Sequence, residues 1–195
     1  VREFIEWYAP FQYPNGKVPC CVDARGADPV PEHDSHGQLI YLIAEYWRHT
    51  GDTPLVERMW PHVAGAADYI EALRQSRRTA EYREGDPQDF FGLLPPSISH
   101  EGYSAKPMHS YWDDIFALRG LADAALLARV TGRAEEAARY AAMPKAALAA
   151  NKRCIAAATD PARDGYADEI AETRTLYDHA ETRRKVSDFL AKRSA

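Results

Sequence analysis

The sequence predicts an all-α fold built from helical hairpins, and three observations support this prediction. Apolar residues recur at helical spacing on both sides of two Thr-Gly turns, Thr50-Gly51 and Thr131-Gly132. The second turn follows the first by 81 residues, so the helix-turn-helix layout occurs twice. The alternation that is typical of strands is limited to short pieces such as Lys17–Val22.

The first hairpin is predicted from two apolar series that flank Gly51. Glycine suits the left-handed position after a helix, and Pro54 suits the first turn of the next one. We expect Pro61 to kink the second helix or to mark its true start. The apolar positions of the two helices are Leu39, Leu42, Ile43, Tyr46 and Trp47, then Val56, Met59, Trp60, Val63, Ala67 and Ile70.

The second hairpin repeats this plan around Gly132. An Ala-rich helical run follows the turn to about Ala158, and Pro144 stands in it as Pro61 does in the first hairpin. The series before the turn is Ile115, Leu118, Ala122, Ala125 and Leu126. Residues 159–195 are charged and leave the pattern, which predicts a polar helical tail.

Two long segments, Pro10–Glu32 and Thr79–Ser110, precede the hairpins, whereas the turns inside the hairpins are short. Long loops in a compact protein are usually functional or disordered, and the Gly, Pro, aromatic and acidic residues here favour ordered loops. If the hairpins pack side by side, both segments lie at the same end. We call this end the loop rim.

Composition excludes several classes of protein. The 195 residues carry a net charge of −5 with 27% charged and 46% hydrophobic residues, so neither disorder nor a basic nucleic-acid groove is indicated. No apolar run is long enough to span a membrane. The three cysteines form no C-x-x-C pair, so they predict neither a zinc ribbon nor a disulfide framework. Val1–Tyr8 resembles the end of an element, and no signal peptide is visible there.

Acidic, histidine and aromatic residues concentrate on the predicted loop rim. Asp34 or Ser35 is a natural N-cap, yet capping needs only one such residue. Asp113 and Asp114 could merely favour the helix dipole, and the aromatic rings could be core residues. Paired carboxylates beside flat rings are, however, what glycoside hydrolysis needs. The candidates are Glu32, His33, Asp34, His36, Glu101, Tyr103, Tyr111, Trp112, Asp113 and Asp114.

Several motifs together resemble the six-hairpin glycosidases. They run in order from Glu32–Gln38 into Ala44–Asp52, then Met59-Trp60-Pro61, Ala66–Ile70, Gly92–Pro95 and Ser110–Asp114 with Leu118–Leu121. The resemblance covers about residues 1–158 and implies an (α/α)6 toroid whose inner helices line a funnel. It also implies a carbohydrate substrate, with no nucleic-acid partner, no membrane and no cofactor or metal.

The resemblance implies acid and base carboxylates that hydrolyse a glycosidic bond, commonly with inversion. The catalytic candidates are Glu101, Asp113 and Glu32, with Glu101 or Asp113 as the general acid. We expect Glu32, Asp34 and His36 to shape the sugar subsite. The other substrate-binding candidates are His33, Tyr103, Tyr111, Trp112 and Asp114.

Two hairpins are fewer than a closed toroid needs, because twelve helices take roughly 350–450 residues. We therefore expect residues 1–158 to be a partial domain, the missing remainder of the toroid to be a possible partner, and the isolated chain to be poorly active. The main alternative is a non-catalytic helical-hairpin binding scaffold, although the repeat is longer than common ones. A metal enzyme using His33, Asp34, His36, His100 and Glu101 lacks an H-E-x-x-H motif. A terpenoid-type enzyme lacks D-D-x-x-D.

Overall fold

The computed structural model describes residues 1–83, 90–98 and 106–143, all within one compact unit, Val1–Ala150. In these ranges the chain is helical apart from a short hairpin of β1 (Val22–Asp23) and β2 (Gly26–Ala27). The helices are α1 (Arg2–Tyr8), α2 (Asp34–Thr50), α3 (Thr53–Gln75), α4 (Tyr111–Val130) and α5, which is described over residues 134–143. Two 3-10 turns lie at Ala9–Phe11 and Ala80–Tyr82.

Both predicted hairpins form. The first closes at Gly51, whose φ of 67° is left-handed, and its N–H donates to Trp47 O at 2.7 Å. The Asp52 carboxylate then caps α3 by accepting from the Leu55 N–H at 3.0 Å. The second hairpin turns at Gly132, with a φ of 76°. These positions favour glycine because an L side chain is strained there.

Helices α2 and α4 make the most extensive contact, and they run parallel. Three pairs show the direction: the Trp112 indole meets Asp34, the Arg119 guanidinium meets Glu45, and the Arg48 guanidinium meets Asp123. Position therefore increases along both helices together. The N-termini of both helices lie at the same end, which confirms the predicted loop rim.

Glycine allows the close approach of α2 and α4. A Cβ built on Gly37 would lie 2.0 Å from the Phe116 carbonyl oxygen, and one on Gly120 would lie 2.6 Å from the Gly37 Cα. Neither backbone atom can move aside as a flexible side chain could. These two positions therefore fix the spacing between the helices below the loop rim.

An ion-pair cluster holds the same two helices farther from the loop rim. Asp123 is 2% exposed and accepts from Arg48 and, at 2.8 Å, from Arg119 Nε. Glu45 Oε1 accepts from Arg48 at 2.5 Å and from Arg119 at 2.9 Å. Buried Asp123 thus has a partner on each helix, which compensates for its desolvation.

The core lies between α2, α3, α4 and α5, where apolar faces meet. Its fully buried side chains include Ile40, Ile43, Leu55, Val56, Ile70, Leu121, Leu127 and Tyr140. The first long segment packs on α3, because a Cβ on Gly16 would lie 2.1 Å from the Gly65 carbonyl oxygen. In the described ranges, no helix is both long and apolar enough to cross a membrane.

Three local predictions need correction. The N-cap of α2 is His33, without a side-chain bond, because Asp34 and Ser35 already lie in the first turn. Pro61 lies inside α3, so of the two predicted alternatives the start of the helix is wrong and the kink stays a prediction. The strand piece predicted at Lys17–Val22 begins only at Val22, since Val18 is held by a helix side chain instead. Pro144 and the boundary at residue 158 lie outside the described residues, so the domain division stays a prediction.

Candidate functional site

The two long segments meet at the loop rim. The Ile98 N–H donates to Pro31 O at 3.0 Å, and the Ser97 and Met108 backbones pair at 2.9 and 2.8 Å. The backbone N–H of His33 also bonds to the Asp113 carboxylate. Residues that are about 80 positions apart in the sequence thus come together around the first turns of α2 and α4.

Asp113 is buried at this point, with 4% of the residue exposed. Burial raises its pKa to about 6, and the charges of Asp34 and Glu32 add to the rise. The Ser97 side chain and the His33 N–H lower the pKa of Asp113 and so oppose this rise. Its Oδ2 is buried and has no hydrogen-bond partner among the described residues.

Asp34 and Trp112 form an acid–aromatic pair beside Asp113. The Trp112 indole Nε1–H donates to Asp34 Oδ2 at 2.9 Å, and Gln38 Nε2 donates to the same oxygen at 2.7 Å. Burial raises the pKa of Asp34, although the indole N–H works against the rise. The Trp112 ring is exposed (59% of the residue) and meets Phe116 edge-on, 4.9 Å between centroids. It therefore offers a flat apolar surface at the loop rim.

The Asp114 side chain has different partners from that of Asp113. Its Oδ1 accepts from the Leu94 N–H at 3.1 Å, and it interacts with the charge of buried Arg74. Burial raises the pKa of Asp114 to about 6, and the charge of Asp113 adds to this. Asp114 thus anchors the segment 90–98 to α4, and its predicted role in substrate binding stays a prediction.

His33 and His36 are buried and neutral. Burial lowers the pKa of His36 to about 3, and its Nδ1 accepts from the Val18 N–H at 3.1 Å. Burial likewise lowers the pKa of His33 to about 4, although a bond to the Pro96 backbone opposes this. His36 is 0% exposed and stacks edge-on with Tyr69, so it positions the first long segment on α2.

The remaining candidates differ in how much the structure describes. Glu32 lies close enough for its charge to raise the pKa of Asp34 and Asp113. Tyr111 is exposed at the start of α4, one residue before Trp112. Glu101, Tyr103 and His100 lie outside the described residues. Sequence patterns gave no sign of Ser97, which reaches Asp113 only through the pairing of the loops.

Comparison with known proteins identifies the family. Residues 1–180 match the family model described as the bacterial alpha-L-rhamnosidase 6 hairpin glycosidase domain. The chain belongs to this six-hairpin glycosidase family. Searches of curated proteins and of solved structures found no match. Membership confirms the suspected family and the all-α hairpin fold of the (α/α)6 type, and it supports a glycoside hydrolase-like function in general.

This six-hairpin domain also holds a pocket of about 620 Å³ next to the acidic residues. Ser35 and Gln38 of α2 line it, and Gln38 is the residue that donates to Asp34. Its other walls are mostly aromatic and apolar, from Phe4, Trp7, Tyr8, Cys20, Cys21, Val22, Leu39, Tyr41, Leu42 and Phe116. The pocket thus lies beside α1 and α2 and is linked to Asp34 through Gln38.

The pKa of Asp113 in this six-hairpin domain predicts a pH effect on stability. In the folded chain Asp113 keeps its proton up to about pH 6, whereas the ordinary side chain loses it at about pH 3.8. Its favourable contribution to the free energy of unfolding is therefore present below pH 3.8 and is lost as the pH rises through 6. Asp113→Asn has no titrating carboxyl at this position, so its stability does not fall for this reason as the pH rises. We expect the unfolding free energy of the variant, relative to wild type, to rise by on the order of 2 kcal/mol from pH 4 to pH 6 in urea titrations.

Asp23→Asn is the control for this measurement. Exposed Asp23 accepts from Arg25, which lowers its pKa, so its contribution is present at higher pH and lost as the pH falls. The relative stability of Asp23→Asn should therefore fall, not rise, as the pH increases. Identical pH profiles for wild type and Asp113→Asn would show that Asp113 does not hold its proton near neutral pH.

Proposed function

We propose that this chain carries the sugar-binding and proton-donating part of a glycoside hydrolase that acts on α-L-rhamnosides. The rhamnose specificity follows the description of the family that the chain belongs to. The observation that carries the proposal is Asp113, a buried carboxyl with a pKa of about 6, next to the half-buried Asp34 and its partner, the exposed Trp112. An acid that is protonated near neutral pH beside a flat ring is what glycoside hydrolysis uses.

In this proposal Asp113 is the general acid. Its carboxyl donates a proton to the glycosidic oxygen as the bond to the anomeric carbon breaks, and the leaving group departs as a neutral alcohol. A second carboxylate, Glu101 or Glu32, removes a proton from the attacking water on the other face of the sugar. Direct attack by water inverts the anomeric centre and needs carboxyl groups ~6.5–9.5 Å apart.

Substrate binding is assigned to the residues around this acid. Trp112 supplies a face for the apolar side of the sugar ring, which in rhamnose includes a methyl group. Asp34 Oδ1, opposite the oxygen that Trp112 and Gln38 occupy, accepts from the Ser35 hydroxyl at 3.4 Å, and in this proposal it also accepts from a sugar hydroxyl. Tyr111 and Tyr103 are the further aromatic candidates. His33 and His36 act in this proposal by holding the backbone that carries Asp34.

The proposal predicts that Trp112→Ala weakens sugar binding about tenfold, because a lost ring face costs roughly 1–1.5 kcal/mol. Isothermal titration calorimetry with methyl α-L-rhamnoside measures this effect without requiring turnover. Wild type should also prefer this ligand to methyl α-D-glucoside. Trp112→Phe should retain most of the affinity, because it keeps an aromatic face for the sugar. It loses only the N–H donor to Asp34.

Trp7→Ala is the matched comparison, because Trp7 is 51% exposed and lines the pocket on the side of α1, whereas the Trp112 indole bonds to Asp34. We expect its rhamnoside affinity to equal that of wild type. Two results would contradict the proposal: unchanged affinity in Trp112→Ala, or a loss confined to Trp7→Ala. The second would place the sugar in the pocket beside α1. Circular dichroism of each variant verifies the fold.

A further inference from the structure

Two neighbouring cysteines and an aspartate converge on the short β-hairpin, where the sequence predicted no site. One ligand atom each from Cys20, Cys21 and Asp28 lies within 4.8 Å of the other two. The two sulfur atoms are 3.3 Å apart, and Cys21 Sγ is 4.0 Å from Asp28 Oδ2. No pattern of spaced cysteines indicates this cluster, because the third ligand comes from across the hairpin.

The hairpin holds these groups in place. Strands β1 and β2 pair Val22 with Ala27, and the next pair outward is Cys21 with Asp28, whose N–H donates to Cys21 O at 3.0 Å. The Val30 N–H donates to Asp28 Oδ1 at 2.9 Å, which turns the other oxygen of this carboxylate toward Cys21. The backbone therefore fixes the ligand positions before any ion binds.

We infer that Cys20, Cys21 and Asp28 form a binding site for a zinc ion. Two thiolates and one carboxylate oxygen suit zinc, which accepts sulfur and oxygen ligands in tetrahedral geometry and leaves a fourth position to water. Zinc–sulfur bonds of about 2.3 Å require sulfurs about 3.8 Å apart, so the thiols open by only about half an ångström from their present distance. Both thiols release their protons to solvent on binding.

The site borders two features of the enzyme. Cys20 and Cys21 form part of the wall of the 620 Å³ pocket, and the Cys20 side chain bonds to Glu32. Because zinc binding removes the Cys20 thiol proton, it would end this hydrogen bond and so couple the ion to Glu32, in the segment that enters α2. This inference does not rest on the glycosidase proposal, because neither the ligand geometry nor its test uses a sugar.

Cobalt(II) titration of the freshly reduced chain tests the site. We expect one cobalt per chain, a thiolate-to-cobalt charge-transfer band in the near ultraviolet, and displacement by zinc. Cys21→Ser and Cys20→Ser should each lose the band or weaken binding at least tenfold, and Asp28→Asn should weaken it about tenfold. Cys154→Ser and Asp23→Asn are the matched controls, and both should bind cobalt as wild type does.

Thermal unfolding gives an independent readout, since a ligand that binds only the folded chain raises its melting temperature. Zinc should stabilise wild type and Cys154→Ser but not Cys21→Ser. Cys21 is exposed, so we expect Cys21→Ser to fold. This variant therefore still tests the site if Cys20→Ser does not fold. The inference is overturned if zinc and cobalt bind equally well to both Cys20→Ser and Cys21→Ser, if Cys154→Ser removes binding, or if wild type binds neither ion.

Discussion

Asp113→Asn is expected to lower kcat for alkyl α-L-rhamnosides by about 10²–10⁴-fold relative to the unsubstituted protein, with little change in KM. Asparagine has nearly the same shape but carries no proton that it can donate to the glycosidic oxygen. An aryl rhamnoside whose leaving group departs as a stable anion needs this proton less. Its kcat should therefore fall much less than that of the alkyl substrate, and comparing the two separates proton donation from misfolding.

Two controls accompany this assay. Asp23→Asn removes an exposed carboxylate of the β-hairpin and should leave kcat unchanged. Proton NMR of the first sugar released by wild type should show the β-anomer, as inversion of an α-linkage requires. An alkyl rhamnosidase activity that survives Asp113→Asn within threefold would assign the acid to another residue, and Glu101 would be the next candidate.

Gly37→Ala is expected to destabilise the chain by roughly 3 kcal/mol, because the new Cβ would lie 2.0 Å from the Phe116 carbonyl oxygen. The new Cβ is attached to the backbone of α2 and meets a backbone oxygen of α4, so no side chain can move aside. The two helices therefore have to separate. The separation also moves Asp34 away from Trp112 and Asp113. Urea unfolding followed by circular dichroism measures the loss, and rhamnoside affinity should fall with it.

Gly65→Ala is the matched control, since Gly65 also lies within a helix, α3. Its nearest atoms are Gln12 Nε2 at 3.3 Å and Oε1 at 3.4 Å, the end of a side chain that bonds to Gly16 and His62 and needs to shift by only a few tenths of an ångström. Alanine also favours the helix by about 1 kcal/mol over glycine, so this variant should remain within about 1 kcal/mol of wild type. Equal stabilities for the two variants would show that glycine does not set the α2–α4 distance.

Local patterns predicted the helices well, because each depends on neighbours in the sequence. The apolar spacing and Gly51 placed α2 and the turn after it, and the Asp52 cap with Pro54 defines the start of α3. The cap of α2 was predicted wrongly for a non-local reason. Asp34 accepts from Trp112, 78 positions away, and so its side chain does not cap the helix in which it lies.

The candidate site was predictable in composition but not in arrangement. Loop lengths indicated that Glu32, Asp34 and Asp113 lie at one end, and the contacts between the loops agree with this. Sequence patterns could not assign different roles to Asp113 and Asp114, because the two residues are neighbours in the chain. Their environments differ, since Asp114 accepts from the Leu94 N–H whereas Asp113 keeps one oxygen without a partner among the described residues.

The helical hairpins, the loop rim and the family were predictable from local patterns, because periodicity, turn glycines and ordered motifs are properties of the chain. Which groups are buried and which groups meet depends on the three-dimensional packing. Burial raises the pKa of Asp113 and lowers that of His36, and both depend on desolvation by distant segments. The hairpin likewise decided that Cys20 and Cys21 face Asp28, since a strand pair joins residues that no fixed spacing relates.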